Sequence, residues 1–557
     1  MEYLYLILQL LGGLGAFLAG MEIMSDSMSR LAHGGLKRML NRTANNRFAG
    51  VGIGAASTMI IQSSSATTVM VVGLVNAGIL TLFQATAIIM GANIGTTITA
   101  WIASLGSLNV SAFLLILSVI GVFMTMLSKK EKVKTIGNVL TGLGLIFVGL
   151  AFMSDAMDPN LHREIMQVIK DALSVVQNPA LLLLIGIVAT GIVQSSSAVT
   201  SIVVVLATSG VLIGGTGDGV YYVIIGSNIG TCITALLSSI GASPNARRAA
   251  IIHLLFNCLG AVIFMTFLLC WIPSGTTFSK TVLETIFPPA ADGKPNYQFQ
   301  IAFFHTLFNV TCTCLFLPFI KGFVWLANHL IRDKKPEPAK DEVMGGLDER
   351  LLLQPSVALS HLYQETGKML AYAKETLDLA FHAFLEKNTA AKNEVLERNR
   401  KLSEANKEAV QYLVKISASA PTIEDEKAIS SMHYVLNDIV RIGELADNVT
   451  KYTDHYVNDP LVFSSEFLTM IREMYEKLTA LYDVCYKAFE ERDYAALKVV
   501  DEMEDTVDKM RRELVNQHIK RLNEGRCQPQ NSSVFINLVG NLERAADHMT
   551  YIAHSIE

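Results

Sequence analysis

The chain has 557 residues, 51% hydrophobic and 17% charged, with a mean hydropathy of +0.38 and a formal net charge of −5. It is too apolar for an ordinary soluble globule and too charged to lie wholly in a membrane, and nucleic acid is not expected among its partners. Charge is sparse up to about residue 330 and dense beyond it, so residues 1–330 read as a membrane domain, 331–350 as a polar linker and 351–557 as a soluble domain.

A bilayer crossing takes about 20 apolar residues, and stretches of that kind occupy 3–28, 82–104, 109–128, 135–157, 220–240, 247–273 and 300–330. The first carries Glu2, has no basic n-region and no obvious cleavage site, so it reads as a retained span. Basic residues cluster at Arg30, Lys37, Arg38, Arg42 and Arg47, at Lys129 to Lys134, at Arg247 and Arg248, and at Lys321, Arg332, Lys334 and Lys335. The positive-inside rule makes all four clusters cytoplasmic. Seven spans with the N-terminus outside and the C-terminal domain in the cytoplasm satisfy them, in a multi-pass protein of the cell's inner (plasma) membrane. The mixed-charge loop at 158–178 then lies outside. The seven cysteines, mostly in apolar segments, read as small core residues rather than disulfides or metal ligands.

Two polar phrases interrupt this pattern. Gln62-Ser63-Ser64-Ser65-Ala66 and Gln194-Ser195-Ser196-Ser197-Ala198 each lie between apolar arms of about 14 residues, roughly 21 Å of helix and too short to cross. Residues 48–80 and 180–213 therefore read as re-entrant helical hairpins with the phrases at their tips. Unmet hydroxyl and amide groups cost roughly 4–8 kcal/mol each in hydrocarbon, so a chain that groups four of them twice is using them.

The duplication extends past the tips. GLGAFLAGMEIMSDSM from Gly13 returns as GLGLIFVGLAFMSDAM from Gly142, QSSSATT from Gln62 as QSSSAVT from Gln194, and GANIGTTITA from Gly91 as GSNIGTCITA from Gly226, at offsets of 129, 132 and 135 residues. Three blocks kept in order mark an internal repeat, about 3–104 and 135–240. The span count sets the two copies in opposite orientations, so the first hairpin enters from the cytoplasmic side and the second from outside. Inverted repeats of this kind build alternating-access transporters with a midplane site.

At each tip the second arm begins with free backbone N–H groups and the positive end of its dipole. Two such ends, with the side chains of Gln62, Ser63, Ser64, Ser65, Gln194, Ser195, Ser196 and Ser197, make a cradle for a tetrahedral oxyanion. The repeated blocks hold no Lys or Arg to neutralise a divalent anion. Small cations are expected beside it, on oxygens of Thr67, Thr68, Asn93, Thr96, Thr97, Thr200, Asn228, Thr231 and Thr234, where the Gly-rich NIGT stretches can unwind. Glu22, Asp26 and Asp155 are intramembrane carboxylates and so candidates for coupling, although Asp26 and Asp155 sit at span ends where they face water. His253 and His305, in the related AIIHLLFN and AFFHTLFN stretches, read as packed core residues.

The paired QSSS phrases and NIGT blocks resemble those of the type II sodium-dependent phosphate cotransporters, the Na/Pi symporters, over most of residues 1–330. The resemblance implies phosphate held by the two tips and sodium ions as coupling ions on neighbouring hydroxyl and carbonyl oxygens.

Past Pro336, Pro338 and Gly345-Gly346, residues 355–557 read as long amphipathic helices with few Gly or Pro. Ala383-Phe384 with Glu386 and Asn388 matches Ala488-Phe489 with Glu491 and Asp493 at an offset of 105, and Asp438 to Glu444 resembles Asn541 to Asp547 at 103. Two three-helix repeats fit this spacing. The pattern is similar to a PhoU-like domain, which implies an intracellular, phosphate-regulatory bundle with E/DxxxD motifs for a divalent or transition metal. Glu543 and Asp547 fit that motif; in the first copy Val440 takes the acidic position opposite Glu444.

The expected architecture is all-α: a polytopic membrane domain of two inverted repeats with re-entrant hairpins, then a PhoU-like bundle. The expected function is sodium-coupled transport of inorganic phosphate across the lipid bilayer, with a homodimer or a cytoplasmic regulatory partner. Phosphate export, and a phosphate sensor with vestigial transport, are the alternatives. An enzyme is not expected, because no Walker loop is present and no base neighbours the serines.

Overall fold

The computed structural model describes residues 2–41, 46–106, 111–158, 162–215, 218–270, 276–290, 295–332, 343–353, 355–418, 423–459 and 461–556. Among the described residues there are helices and turns and no strand. Contacts divide the chain into a unit Met1–Lys335 and a unit Pro336–Glu557.

The first unit opens with α1 (Glu2–Asn41), followed by the paired arms α2 (Arg47–Ile61) and α3 (Ser64–Asn76), then α4 (Leu82–Leu105), α5 (Ser111–Leu127) and α6 (Glu131–Ala156). The second copy continues through α7 (Arg163–Val175), the paired arms α8 (Pro179–Val193) and α9 (Ser196–Thr208), and α10 (Gly219–Ser238). α11 (Pro244–Leu269), a short π turn leading into α12 (Glu284–Ile286), α13 (Tyr297–Phe316) and α14 (Ile320–Leu330) complete it. Among the described residues six helices are long and apolar enough to cross a membrane, within Leu4–Leu31, Leu82–Leu105, Glu131–Ala156, Gly219–Ser238, Pro244–Leu269 and Tyr297–Leu330. Of the seventh expected span, 109–128, α5 covers 17 residues, Ser111–Leu127, and positions 109 and 110 lie outside the described residues.

Both hairpins have the same build, a 15-residue arm followed by a 13-residue arm. At 1.5 Å per residue these reach roughly 20–23 Å, short of the ~30 Å hydrocarbon core. The first arm of each lies against the NIGT helix of its own copy at backbone distance. A Cβ on Gly91 would stand 2.0 Å from the Val51 carbonyl oxygen, and one on Gly226 2.0 Å from that of Leu183. α4 and α10 stay helical through their NIGT segments, so these glycines serve close packing and the helix is not unwound there.

The two copies meet across a pseudo-twofold axis. Gly13 packs on Gly149 and Gly20 on Gly142, and the repeat offset of 129 exchanges one contact for the other. That reciprocity requires α1 and α6 to run antiparallel. It is repeated where α3 packs on α10 and α9 on α4.

Contacts between helix ends sort the loops onto two faces. Asn76 accepts from the Ser243 N–H at 2.7 Å, Arg47 reaches the Leu317 carbonyl, and Arg248 donates to the Ile331 carbonyl. These gather the base of the first hairpin, the start of α11 and the ends of α13 and α14. At the other face Ser104 bonds the Gln298 carbonyl, Asp218 accepts from the N–H groups of Phe278 and Ser279, and Gly214 at the base of the second hairpin bonds Leu173. The hairpins therefore enter from opposite faces. Arg47, Arg248 and Lys321 share the first face; the antiparallel α1–α6 crossing brings Lys129 to Lys134 there too. The side chains of Lys37, Arg38 and Arg42 lie outside the described residues, as do Lys334 and Lys335.

Two stretches differ from expectation. Residues 163–175, read as part of a mixed-charge loop, form the amphipathic helix α7, because Ile165, Ile169 and Leu173 recur every fourth residue and pack on the core around α1 and α6. The apolar run 300–330 is broken by a 3-10 turn at Leu317–Phe319, where Pro318 has no N–H to donate. α13 alone, 20 residues long, spans roughly 30 Å.

The second unit comprises α15 (Pro355–Glu386), α16 (Ala391–Ala418) and α17 (Ile423–Asn458), then α18 (Ser465–Glu491), α19 (Leu497–Asn523) and α20 (Asn531–His554). Each trio packs together and α17 meets α20, giving two three-helix repeats. The duplicated Ala-Phe motif is a helix stop: Lys387 and Arg492 take positive φ, with Asn388 and Asp493 N–H groups bonding back to the Ala383 and Ala488 carbonyls. Of the linker, residues 333–342 lie outside the described residues.

Candidate anion site between two hairpin tips

Each QSSS phrase stops one helix and starts the next. Gln62 and Gln194 occupy the left-handed region at φ 56° and 58°, a conformation that costs a non-glycine residue roughly 1–2 kcal/mol. Their N–H groups bond the carbonyls of Thr58 and Thr190 at 2.7 Å, and their side-chain amides bond those of Met59 and Gly191. The amide thus closes the orphan carbonyls of the last turn, which glycine could not do. Ser63 and Ser195 are N-caps, their Oγ atoms accepting from the N–H groups of Ala66 and Ala198 at 3.1 and 3.2 Å. Helical geometry leaves the N–H groups of Ser64, Ser65, Ser196 and Ser197 without a partner in their own helix.

All eight residues line one cavity of about 200 Å³, together with Leu18, Met21, Glu22, Ser25 and Ile61. Two positive helix ends and four serine hydroxyls beyond the caps converge there, an arrangement suited to an oxyanion. The tips are not equivalent in their surroundings: Ser25 donates to the Ile61 carbonyl beside the first, where Gln62 is buried, while Gln194 is exposed at the second.

None of the nine residues expected to hold small cations is in that lining. Thr67 Oγ1 bonds the Ser63 carbonyl, and Thr234 donates to the Gln194 amide oxygen, so these two touch the tips. Thr68 and Thr200, equivalent in the two copies, are fully buried, and neither hydroxyl has a hydrogen-bond partner among the described residues. Asn93, Thr96, Thr97 and Thr231 bond carbonyls within their own helices. Asn228 joins a buried network with His305 and Asn309 on α13. His253 and His305 are both buried.

Sequence reasoning missed Thr99, whose hydroxyl donates to Ser197 Oγ at 3.1 Å and so ties the first copy to the second tip. The repeat offset of 135 applied to Thr234 leads to it. Ser25 carried no signal of its own, and Glu22 was legible only as a carboxylate within a span.

In the second unit Glu543 and Asp547 face Glu504 and Asp508 on α19, with Arg511 at 3.7 Å from Glu543. Burial, followed by carboxylate neighbours, raises both above the usual carboxylate range. Among the described residues no three His, Cys, Asp or Glu groups stand close enough together to hold a metal ion, so the expected metal pair is, as placed, a mutually repelling set. The protonated form is the one favoured by folding, and its contribution is present at low pH and lost as pH rises through the raised pKa values. Glu543→Gln should therefore raise the thermal unfolding temperature of this unit by a few degrees above neutrality and by nothing near about pH 4, as read by a pH series of melting curves.

These features define a class: a polytopic membrane protein of two inverted repeats with paired re-entrant hairpins. Residues 16–155 and 156–271 match the Na+/Pi-cotransporter family, and residues 366–453 and 471–556 match the PhoU domain. The chain is 31% identical to YqeW of Bacillus subtilis over 57% of its own length and 96% of that protein. It is 23% identical to YjbB of Escherichia coli, whose name proposes inorganic phosphate export, over 99% of this chain and 97% of YjbB. A shorter stretch, 17% of this chain and 15% of the other, is 35% identical to the sodium-dependent phosphate transport protein 2A of Rattus norvegicus. The chain belongs to the Na+/Pi-cotransporter family and carries a C-terminal PhoU region.

Proposed function

We propose that this protein moves inorganic phosphate across the membrane by alternating access, coupled to sodium, with phosphate held between the two tips. The observation that carries the reading is a single cavity lined by both QSSS phrases, on hairpins from opposite faces. Helix-end N–H groups and hydroxyls meet the phosphate oxygens. Glu22 lines the same cavity, and like charges about 4 Å apart repel by roughly 4 kcal/mol at an effective dielectric of 20. Phosphate and Glu22 are therefore compatible only when cations sit with them. The unpartnered hydroxyls of Thr68 and Thr200 are oxygens of the kind sodium takes, one in each copy.

The basic clusters gathered on one face support a cytoplasmic assignment for that face, with the N-terminus outside and the PhoU region inside as a regulatory unit. Export is the second reading, favoured by similarity to YjbB along its whole length. The test is uptake of labelled phosphate by proteoliposomes with imposed ion gradients. An inward sodium gradient should drive accumulation, and reversing it should drive efflux. Glu22→Gln should raise the half-saturating sodium concentration about ten-fold. Equal uptake in sodium and choline would contradict sodium coupling.

A further inference from the structure

A second cavity, of about 350 Å³, lies at the base of the first hairpin, away from the tips, and is lined by Asn46, Arg47, Phe48, Phe83, Pro318, Ile320 and Lys321. Two cations face it, and no carboxylate lines it among the described residues. Arg47 spends one guanidinium contact, at 3.4 Å, on the Leu317 carbonyl and lies over the Phe48 ring, which leaves its other donors for a ligand. Lys321 is exposed.

Phe48, Phe83, Pro318 and Ile320 make the rest of the wall apolar. Phe48 is 67% exposed, and Phe319, outside the lining but next to Pro318, is 63% exposed. The depth follows from α13, whose 20 residues span about one hydrocarbon thickness and end just before Pro318. That length sets Arg47 and Lys321 at the level of the membrane boundary, with the exposed rings of Phe48 and Phe319 close to them in the chain. Trp325, one turn past Lys321 and 61% exposed, is the kind of aromatic that anchors helices at that level.

We propose that this cavity binds the headgroup of an anionic phospholipid, its phosphate between Arg47 and Lys321 and its acyl chains along Phe48 and Phe319. Basic pockets between helices at a membrane face are suited to such headgroups. The lipid bridges the first residues of a hairpin and the break between α13 and α14, so it ties the hairpin's base to the surrounding helices.

The experiment is native mass spectrometry of the full chain released from detergent, with phosphatidylglycerol, with phosphatidylcholine of the same chains, and with glycerol 3-phosphate as the soluble headgroup. Phosphatidylglycerol should bind and the other two should not. Each basic group near an anionic lipid contributes roughly a five-fold factor, so Lys321→Gln should weaken binding about five-fold and Arg47→Gln with Lys321→Gln about thirty-fold. Arg472→Gln, on an exposed position of the other unit, should change nothing. Lys321→Gln is on the surface and leaves the Arg47–Leu317 contact in place, so it tests the proposal if the double variant fails to fold. Equal retention of phosphatidylcholine, unchanged binding in the folded Lys321→Gln protein, or displacement of phosphatidylglycerol by equimolar glycerol 3-phosphate would each overturn it, the last by revealing a site for a soluble anion.

Discussion

Replacing both Ser64 and Ser196 by alanine should abolish phosphate transport while leaving expression and melting temperature near those of the parent. Both residues are buried, at 5% and 6% exposure, and line the cavity, yet neither is the N-cap of its helix. Their loss removes a donor from the anion without removing a cap. A hydrogen bond to a charged group contributes about 1.5–3 kcal/mol, so each single variant should raise the apparent KM for phosphate by roughly ten- to a hundred-fold, and the pair by the product where the sites act independently. The neighbouring caps provide the contrast. Ser63→Ala or Ser195→Ala should cost about 0.5–2 kcal/mol of stability and show first as reduced expression. A double variant whose KM stays within three-fold of the parent would remove the tips from the phosphate site.

The second large effect concerns the packing that holds the tips. Gly91→Ala or Gly226→Ala should lower the unfolding temperature by about 5–10 °C and eliminate transport, because the new methyl would overlap a carbonyl oxygen of the adjoining arm at 2.0 Å. No side chain can rotate away; the arm itself must move, and the tip moves with it. Gly52→Ala is the control, since nothing lies within 4 Å of the added carbon. It should melt at or slightly above the parent temperature, as alanine favours the helix. Equal melting of Gly91→Ala and Gly52→Ala proteins would show that the arm and α4 are not in contact at this distance.

The hairpins were legible because their arms are too short to cross and their tips are polar; those two facts leave little else for such a segment to be. The internal repeat was legible for the same reason that it folds symmetrically: the blocks that recur are the ones that pack on each other, Gly13 with Gly149 and Gly20 with Gly142. The helix stops of the second unit, at Lys387 and Arg492, were visible as a repeated phrase although not as caps. What a linear pattern does not carry is which face of a helix meets which neighbour. The NIGT glycines read as points where a helix can unwind, and instead let two backbones touch. Asn93, Thr96, Thr97 and Thr231 carry suitable oxygens but spend their side chains on their own helices. Glu22 faces the cavity only because α1 crosses beside the first tip, a tertiary fact. Glu504 and Asp508 repeat the four-residue spacing of Glu543 and Asp547 and could have been found by it.

The PhoU region holds a second source of pH dependence. Glu365 is buried, and burial alone would raise its pKa, but the His361 ring 3.6 Å away and hydrogen bonds from Lys368 and the Gly345 N–H hold it at about 2. Its stabilising contribution is therefore present above the ordinary carboxylate range and lost only in strong acid, opposite in sign to that of Glu543 and Asp547.

The most direct test of the central claim is a cryo-EM map of the full chain in sodium phosphate. The account predicts density for a tetrahedral anion in the cavity between Ser64 and Ser196, absent when choline replaces sodium. An anion bound elsewhere in the membrane unit, with that cavity holding only water, would contradict it.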